Sequence, residues 1–193
     1  MNGVARVATG AQIRVAWSQM FTFVTGGLRA GKSEYALRRA SELGPPPWLY
    51  VAARTEGDDE LKARLARHRR DQDATWRLIE APDKLATALD PATVDGYGAM
   101  VLDRFSIWIS SRLAGTEARA DYQLLDEVES LADKLYRATT PVVLVTTEIG
   151  LGFLPASVPD RRLISVVGLA NQILAERAQS VVMMVSGVPL RLR

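Results

Sequence analysis

The apolar positions of the chain fall into two rhythms. Short apolar runs occur at 21–25, 48–52, 100–103 and 141–146. Runs this short, rich in Val, Phe, Trp and Tyr, predict strands buried on both faces rather than helices. Between them the apolar residues recur at helical spacing. Tyr35, Ala36, Leu37, Ala40 and Leu43 predict a first helix over 33–43, stopped by Gly44-Pro45-Pro46-Pro47. Asp58-Asp59-Glu60 opens a charged helix to about residue 71, with acid where the helix dipole favours it. Further helices are predicted over about 122–137 and 167–178. The chain closes with two strands, 181–185 and 190–192, around Ser186-Gly187-Val188-Pro189, which reads as a β-hairpin. Strand and helix alternate, and short crossovers of that kind build a mostly parallel sheet with helices on both faces.

One segment of this pattern carries chemistry. Directly after the first strand stands Gly26-Gly27-Leu28-Arg29-Ala30-Gly31-Lys32-Ser33, a complete GxxxxGK[ST] loop. A strand that ends in such a turn and then starts a helix leaves several backbone N–H groups aimed at one point, where phosphates can accept them. Glycines allow close approach, Lys32 can reach the β and γ phosphates, and Ser33 can offer its hydroxyl to Mg²⁺. The expected architecture is therefore a three-layer, P-loop NTPase-like α/β fold ending in a hairpin. The motif binds nucleotide; it does not by itself specify a reaction.

Composition narrows the classes. With 193 residues, 48% of them apolar, the chain suits one domain whose sheet is covered on both faces. We read 20–193 as a single nucleotide-binding catalytic domain. Residues 1–19 read as a flexible extension, and deleting them is expected to leave folding and activity intact. A net charge of +2 demands neither a nucleic-acid stripe nor a membrane-surface helix. Of the 24 basic residues only Lys32, Lys62, Lys84 and Lys134 are lysines, so most cations are guanidinia. The absence of cysteine removes disulfides, thiolate metal sites and a cysteine nucleophile, and a single histidine removes a His-rich zinc cluster. A reducing cytoplasm fits. No run of about 18 apolar residues predicts a membrane span, and the amino-terminal residues lack a secretory apolar region.

Three further residues stand where chemistry could occur. Asp103 ends a strand, at the edge where a parallel sheet collects its ligands, and could hold Mg²⁺ through water; a plain cap of the following turn is the alternative. Glu148 follows the strand over 141–146, between Thr147 and Gly150, and could line the same cleft or belong to a structural loop. His68 shares a helical face with Leu61 and Leu65. It reads from spacing as a packed structural histidine, although flanking arginines would keep its ring neutral and nucleophilic. Asn171-Gln172 reads as a polar contact or a surface pair.

Taken together, these residues resemble a known family. The loop from Thr25 to Ser33, then Asp59-Glu60-Leu61, Arg64, His68, Trp76 and Glu80, then Asp103 with Trp108, then Glu148-Ile149-Gly150-Leu151-Gly152 with Pro155, then Gly168, Asn171-Gln172 and Ser186 to Leu190 follow one order. That order resembles the bifunctional adenosylcobinamide kinase / adenosylcobinamide-phosphate guanylyltransferases of cobalamin biosynthesis. The resemblance implies a kinase step using ATP or GTP, then transfer of GMP from GTP to the phosphate, with Mg²⁺. It implies that His68 takes the guanylyl group, that Lys32, Asp103 and Glu148 take part in catalysis, and that Arg64 and Glu80 bind nucleotide beside the loop. It further implies a cytoplasmic homotrimer acting on a corrinoid. The chain departs from the family pattern at Ala30, Gln72, Arg104, Ser106, Ser111, Thr147, Ile164 and Ser165. Two other readings remain open: a small-molecule kinase without guanylyl transfer, and a nucleotide-binding regulator. For the kinase step, Asp103 and Glu148 are both candidate bases.

Overall fold

The alternation of rhythms is realised as a seven-stranded sheet in the computed structural model, which describes residues 20–53, 76–81, 85–114, 120–152 and 155–193. In chain order the described elements are β1 (Phe21–Gly26), α1 (Lys32–Leu43), β2 (Trp48–Ala52), β3 (Trp76–Glu80), a 3₁₀ turn (Leu85–Leu89), α2 (Pro91–Val94), β4 (Ala99–Asp103), α3 (Phe105–Leu113), α4 (Asp121–Arg137), β5 (Val142–Val145), α5 (Val158–Arg177), β6 (Ser180–Val185) and β7 (Val188–Arg191). The strands lie side by side as β3-β2-β4-β5-β1-β6-β7. Every neighbouring pair is parallel except the closing β6/β7 hairpin. Residues 54–75, which contain the expected charged helix, lie outside the described residues, as do residues 1–19.

Register decides which side chains meet. Phe23 of β1 is level with Leu144 and Val181, and Val24 with Val145 and Val182. Because successive side chains point to opposite faces, Phe21, Phe23, Leu102 and Leu144 pack on one side with Phe105, Leu131 and Val167 of the helices. Val24, Tyr50, Val101 and Val143 pack on the other with Ala36, Leu37 and Ala40 of α1. The small alanines let α1 lie close over β4 and β5, which holds its N-terminus at the sheet's carboxyl edge. Two aromatic neighbours extend this second layer toward β3, with the Trp48 and Trp76 ring centres 5.2 Å apart.

The 3₁₀ turn and α2 are additions to the sequence expectation, β7 begins at Val188 inside the expected turn, and three further elements differ for plain reasons. β3 is a strand the apolar pattern does not announce: it is an outer strand paired only with β2, and only Trp76 is buried, so Arg77 and Glu80 break the apolar run. α3 carries two isoleucines and three serines, weak helix formers, and forms because Phe105, Trp108 and Ile109 are buried at i, i+3 and i+4. α5 starts at Val158 instead of 167. Ser157 caps it by accepting a 3.2 Å hydrogen bond from the Asp160 N–H, and its first turns are charged and exposed, which hides their helical period. No helix among the described residues is long and apolar enough to cross a membrane.

Candidate nucleotide site

β1 stops at Gly26 because two demands meet there. Its φ of 141° lies outside the range L side chains favour, and a Cβ would stand 2.4 Å from the Met184 carbonyl oxygen of β6. The chain turns through Arg29, at φ 56°, and enters α1 over Gly31, at φ 89°. Gly31 is the N-cap and offers no side chain, so the first N–H groups of α1 stay available at the mouth of the loop. The loop is braced from behind: the Gly187 N–H of the hairpin turn donates to the Ala30 carbonyl at 3.1 Å. Leu28 at the tip is exposed.

Lys32 is buried, and its Nζ donates to the Gly27 carbonyl at 2.7 Å, folding its side chain across the loop. Burial pushes its ammonium below the ordinary lysine value, and the Asp103 carboxylate partly offsets that. An ammonium held in this way is under-solvated, and phosphate oxygens would relieve the deficit. Asp103 sits at the end of β4, with β5 between it and β1. Its Oδ1 accepts the Arg104 N–H at 2.7 Å and its Oδ2 accepts the hydroxyl of fully buried Tyr50. Asp103 therefore braces the following turn, as the cap reading has it, and also faces the loop lysine.

Lys32, Ser33, Asp103, Arg104, Ser106 and Thr147 share the wall of one cavity of about 440 Å³ with the tip of the loop. A larger cavity of about 620 Å³ lies beside α2 and the end of α4; it carries the exposed Lys134–Asp90 ion pair at 2.9 Å. The chemistry-bearing residues gather at the smaller one, as expected of the carboxyl ends of parallel strands.

Glu148 stands in a loop beside the phosphate loop, and its carboxylate is engaged within that loop and by α5. Its backbone N–H donates to the Gly26 carbonyl at 3.0 Å, which brings it beside the loop. Its carboxylate, however, accepts from the Gly150 N–H at 3.1 Å and from Asn171 Nδ2 at 3.5 Å, and it is not part of the cavity wall. The reason is Asn171. Buried on α5, it also accepts the Thr146 hydroxyl at 3.0 Å, so it links the exit of β5 to the Glu148 loop. Glu80 ends β3 on the outer strand, separated from β1 by β2, β4 and β5, or about 19 Å at the usual strand spacing. His68 and Arg64 lie outside the described residues. Tyr50 was missed as a site residue because in sequence it is one apolar-run aromatic among several; only the β2/β4 pairing puts its hydroxyl on Asp103.

Comparison with known proteins follows the same lines. The family described as cobinamide kinase / cobinamide phosphate guanyltransferase matches residues 22–192. The chain is 34% identical over 175 residues to the bifunctional adenosylcobalamin biosynthesis protein CobP of Pseudomonas aeruginosa, covering 90% of this chain and 98% of that protein. It is 32% identical over 184 residues to the bifunctional adenosylcobalamin biosynthesis protein CobU of Salmonella typhimurium, covering 90% of this chain and all of that protein (100%). Among solved structures it is similar to a KaiC-like protein from Pyrococcus horikoshii, with a TM-score of 0.52 at 14% identity over 85% of this chain and 70% of that one. At that identity the likeness concerns the α/β fold alone.

Proposed function

The chain belongs to the cobinamide kinase / cobinamide phosphate guanyltransferase family, and on that premise we propose that it phosphorylates adenosylcobinamide with ATP or GTP and then transfers GMP from GTP to the new phosphate. The observation that carries the reading is the single cavity in which Lys32, Ser33 and Asp103 meet at the mouth of the loop.

In the first step the acceptor hydroxyl oxygen attacks the γ-phosphorus and gives up its proton to water or a nearby carboxylate, the bond to the β-phosphate oxygen breaks, and a nucleoside diphosphate leaves. Lys32 and the α1 N–H groups hold the charge that develops on the phosphate oxygens. Asp103 stands on the cavity wall and Glu148 does not, which favours Asp103 as the carboxylate beside the triphosphate. The oxygen donors of Ser33 and Asp103 suit Mg²⁺, which takes few protein ligands and keeps waters and phosphate oxygens; among the described residues no group of three or more carboxylates or imidazoles gathers. When bound, Mg²⁺ would neutralise part of the triphosphate charge. Each Asp103 oxygen accepts one hydrogen bond and keeps a lone pair, so Asp103 could reach the ion directly or through water.

In the second step a neutral His68 ring nitrogen attacks the α-phosphorus of GTP, and pyrophosphate leaves. The acceptor phosphate then displaces the histidine and takes the GMP. Arg64 and Glu80 are proposed to hold the nucleotide there. A cytoplasmic homotrimer completes the reading, and the exposed apolar Val188 and Leu190 on outer strand β7 are in keeping with a subunit contact.

The test is covalent. Protein incubated with α-labelled GTP and Mg²⁺ and then denatured is expected to carry acid-labile, base-stable label that His68→Ala abolishes while kinase activity persists. No label in a protein that binds GTP would leave a P-loop kinase without guanylyl transfer, or a nucleotide-binding regulator.

A further inference from the structure

The cavity has a second set of donors besides the loop. α3, nine residues long, begins on the same wall: Arg104 and Ser106 both line the cavity with Lys32 and Ser33. The N–H groups of Phe105 and Ser106 have no acceptor within the helix, and the N-cap residue Arg104 supplies no side-chain cap. The Arg104 N–H itself is taken by Asp103. Ser106 is the independent observation. The residue is only 9% exposed, it stands on the cavity wall, and its hydroxyl has no hydrogen-bond partner among the described residues. That oxygen is not among the buried unpartnered atoms, so it is open to the cavity and can bond a group that enters there.

Two further facts specify that group. Arg104 is held at φ 65°, a left-handed conformation that non-glycine residues avoid and that recurs at ligand clamps. The charged residues lining the cavity are Arg29, Lys32 and Arg104 against Glu34 and Asp103, and both Asp103 oxygens are turned onto Arg104 N–H and Tyr50. The α3 dipole adds positive potential at that end.

We propose that the N-terminus of α3 is a second phosphate subsite, distinct from the loop, in which the Phe105 and Ser106 N–H groups, the Ser106 hydroxyl and Arg104 hold a terminal phosphate. The inference rests on the proposed function for its ligand: that reaction presents two terminal phosphates, the γ-phosphate of the nucleotide and the phosphomonoester of the acceptor.

The test uses the full chain with Mg²⁺ in two arms. In one, calorimetry compares a non-hydrolysable GTP analogue with GDP. In the other, protein already saturated with that analogue is titrated with inorganic phosphate. Ser106→Ala removes the hydroxyl, and Arg104→Gly removes the guanidinium while keeping a residue that takes the left-handed turn without strain. Each variant is expected to weaken one of these phosphate interactions about tenfold or more, the usual effect of losing a hydrogen bond to a charged group. Weaker inorganic phosphate with an unchanged triphosphate preference assigns the acceptor's phosphomonoester. A reduced preference for triphosphate over diphosphate assigns the γ-phosphate. Both variants behaving as wild type in both arms overturns the subsite. His68 labelling reads the proposed function separately, so labelled protein with unaltered phosphate binding would overturn the subsite alone.

Discussion

Lys32 shows at the scale of one residue how the site trades folding stability for binding. Its ammonium is buried and held below its ordinary pKa, so the folded state disfavours the proton that the unfolded chain accepts freely. The resulting cost is fully present below the lowered folded pKa and fades as pH rises toward 10.5, the model value. Lys32→Met should therefore lower triphosphate affinity about ten- to hundredfold. In urea titrations of the nucleotide-free protein, the variant's stability relative to wild type should decline as pH rises over that window; a rise would contradict the burial argument. Tyr50 makes the complementary case. Its hydroxyl is a buried donor to Asp103, and Tyr50→Phe should destabilise the fold by about 1–3 kcal/mol. The same variant should shift the Mg²⁺ concentration needed for nucleotide binding upward, which a packing role alone would not do. From the sequence, Lys32 was legible because its motif is local. Tyr50 was not, since its partner stands 53 positions away.

At the scale of elements, the phosphate loop is shaped by a strand that comes much later in the chain. Gly26 lies against the Met184 carbonyl of β6, and Gly187 in the β6/β7 turn donates to Ala30. Gly26→Ala adds both a clash with backbone and an unfavourable φ, and should cost at least about 2 kcal/mol by urea denaturation. Removing residues 186–193 takes away β7 and the Gly187 brace, and nucleotide affinity should fall even where circular dichroism shows the sheet retained; unchanged affinity would show that the loop holds its shape unaided. The elements themselves were unevenly readable. α1 and α4 announce themselves because each has one apolar face and one polar face, as Leu124, Val128, Leu131 and Leu135 show. α3, β3 and the first turns of α5 do not, because packing on the sheet, strand pairing and a serine cap override weak local preference.

Across the whole molecule, the sheet order is what makes a site out of separate motifs. The loop ends β1, Asp103 ends β4, and β5 runs between them, yet parallel pairing sets all three carboxyl ends on one edge. There Lys32 and Asp103 meet across a single cavity. Glu148 shows that reaching this edge is not enough, since Asn171 and Gly150 turn its carboxylate aside. The sequence by itself determined the α/β alternation, the loop and its strand-to-helix context, because each depends on residues adjacent in the chain: apolar period, glycine placement and the lysine that follows. Only the tertiary structure decided that Tyr50 supports Asp103, that Ser106 lines the cavity and that Glu148 does not. Those outcomes depend on strand order and register, which bring distant residues to hydrogen-bonding distance and leave no mark in local sequence.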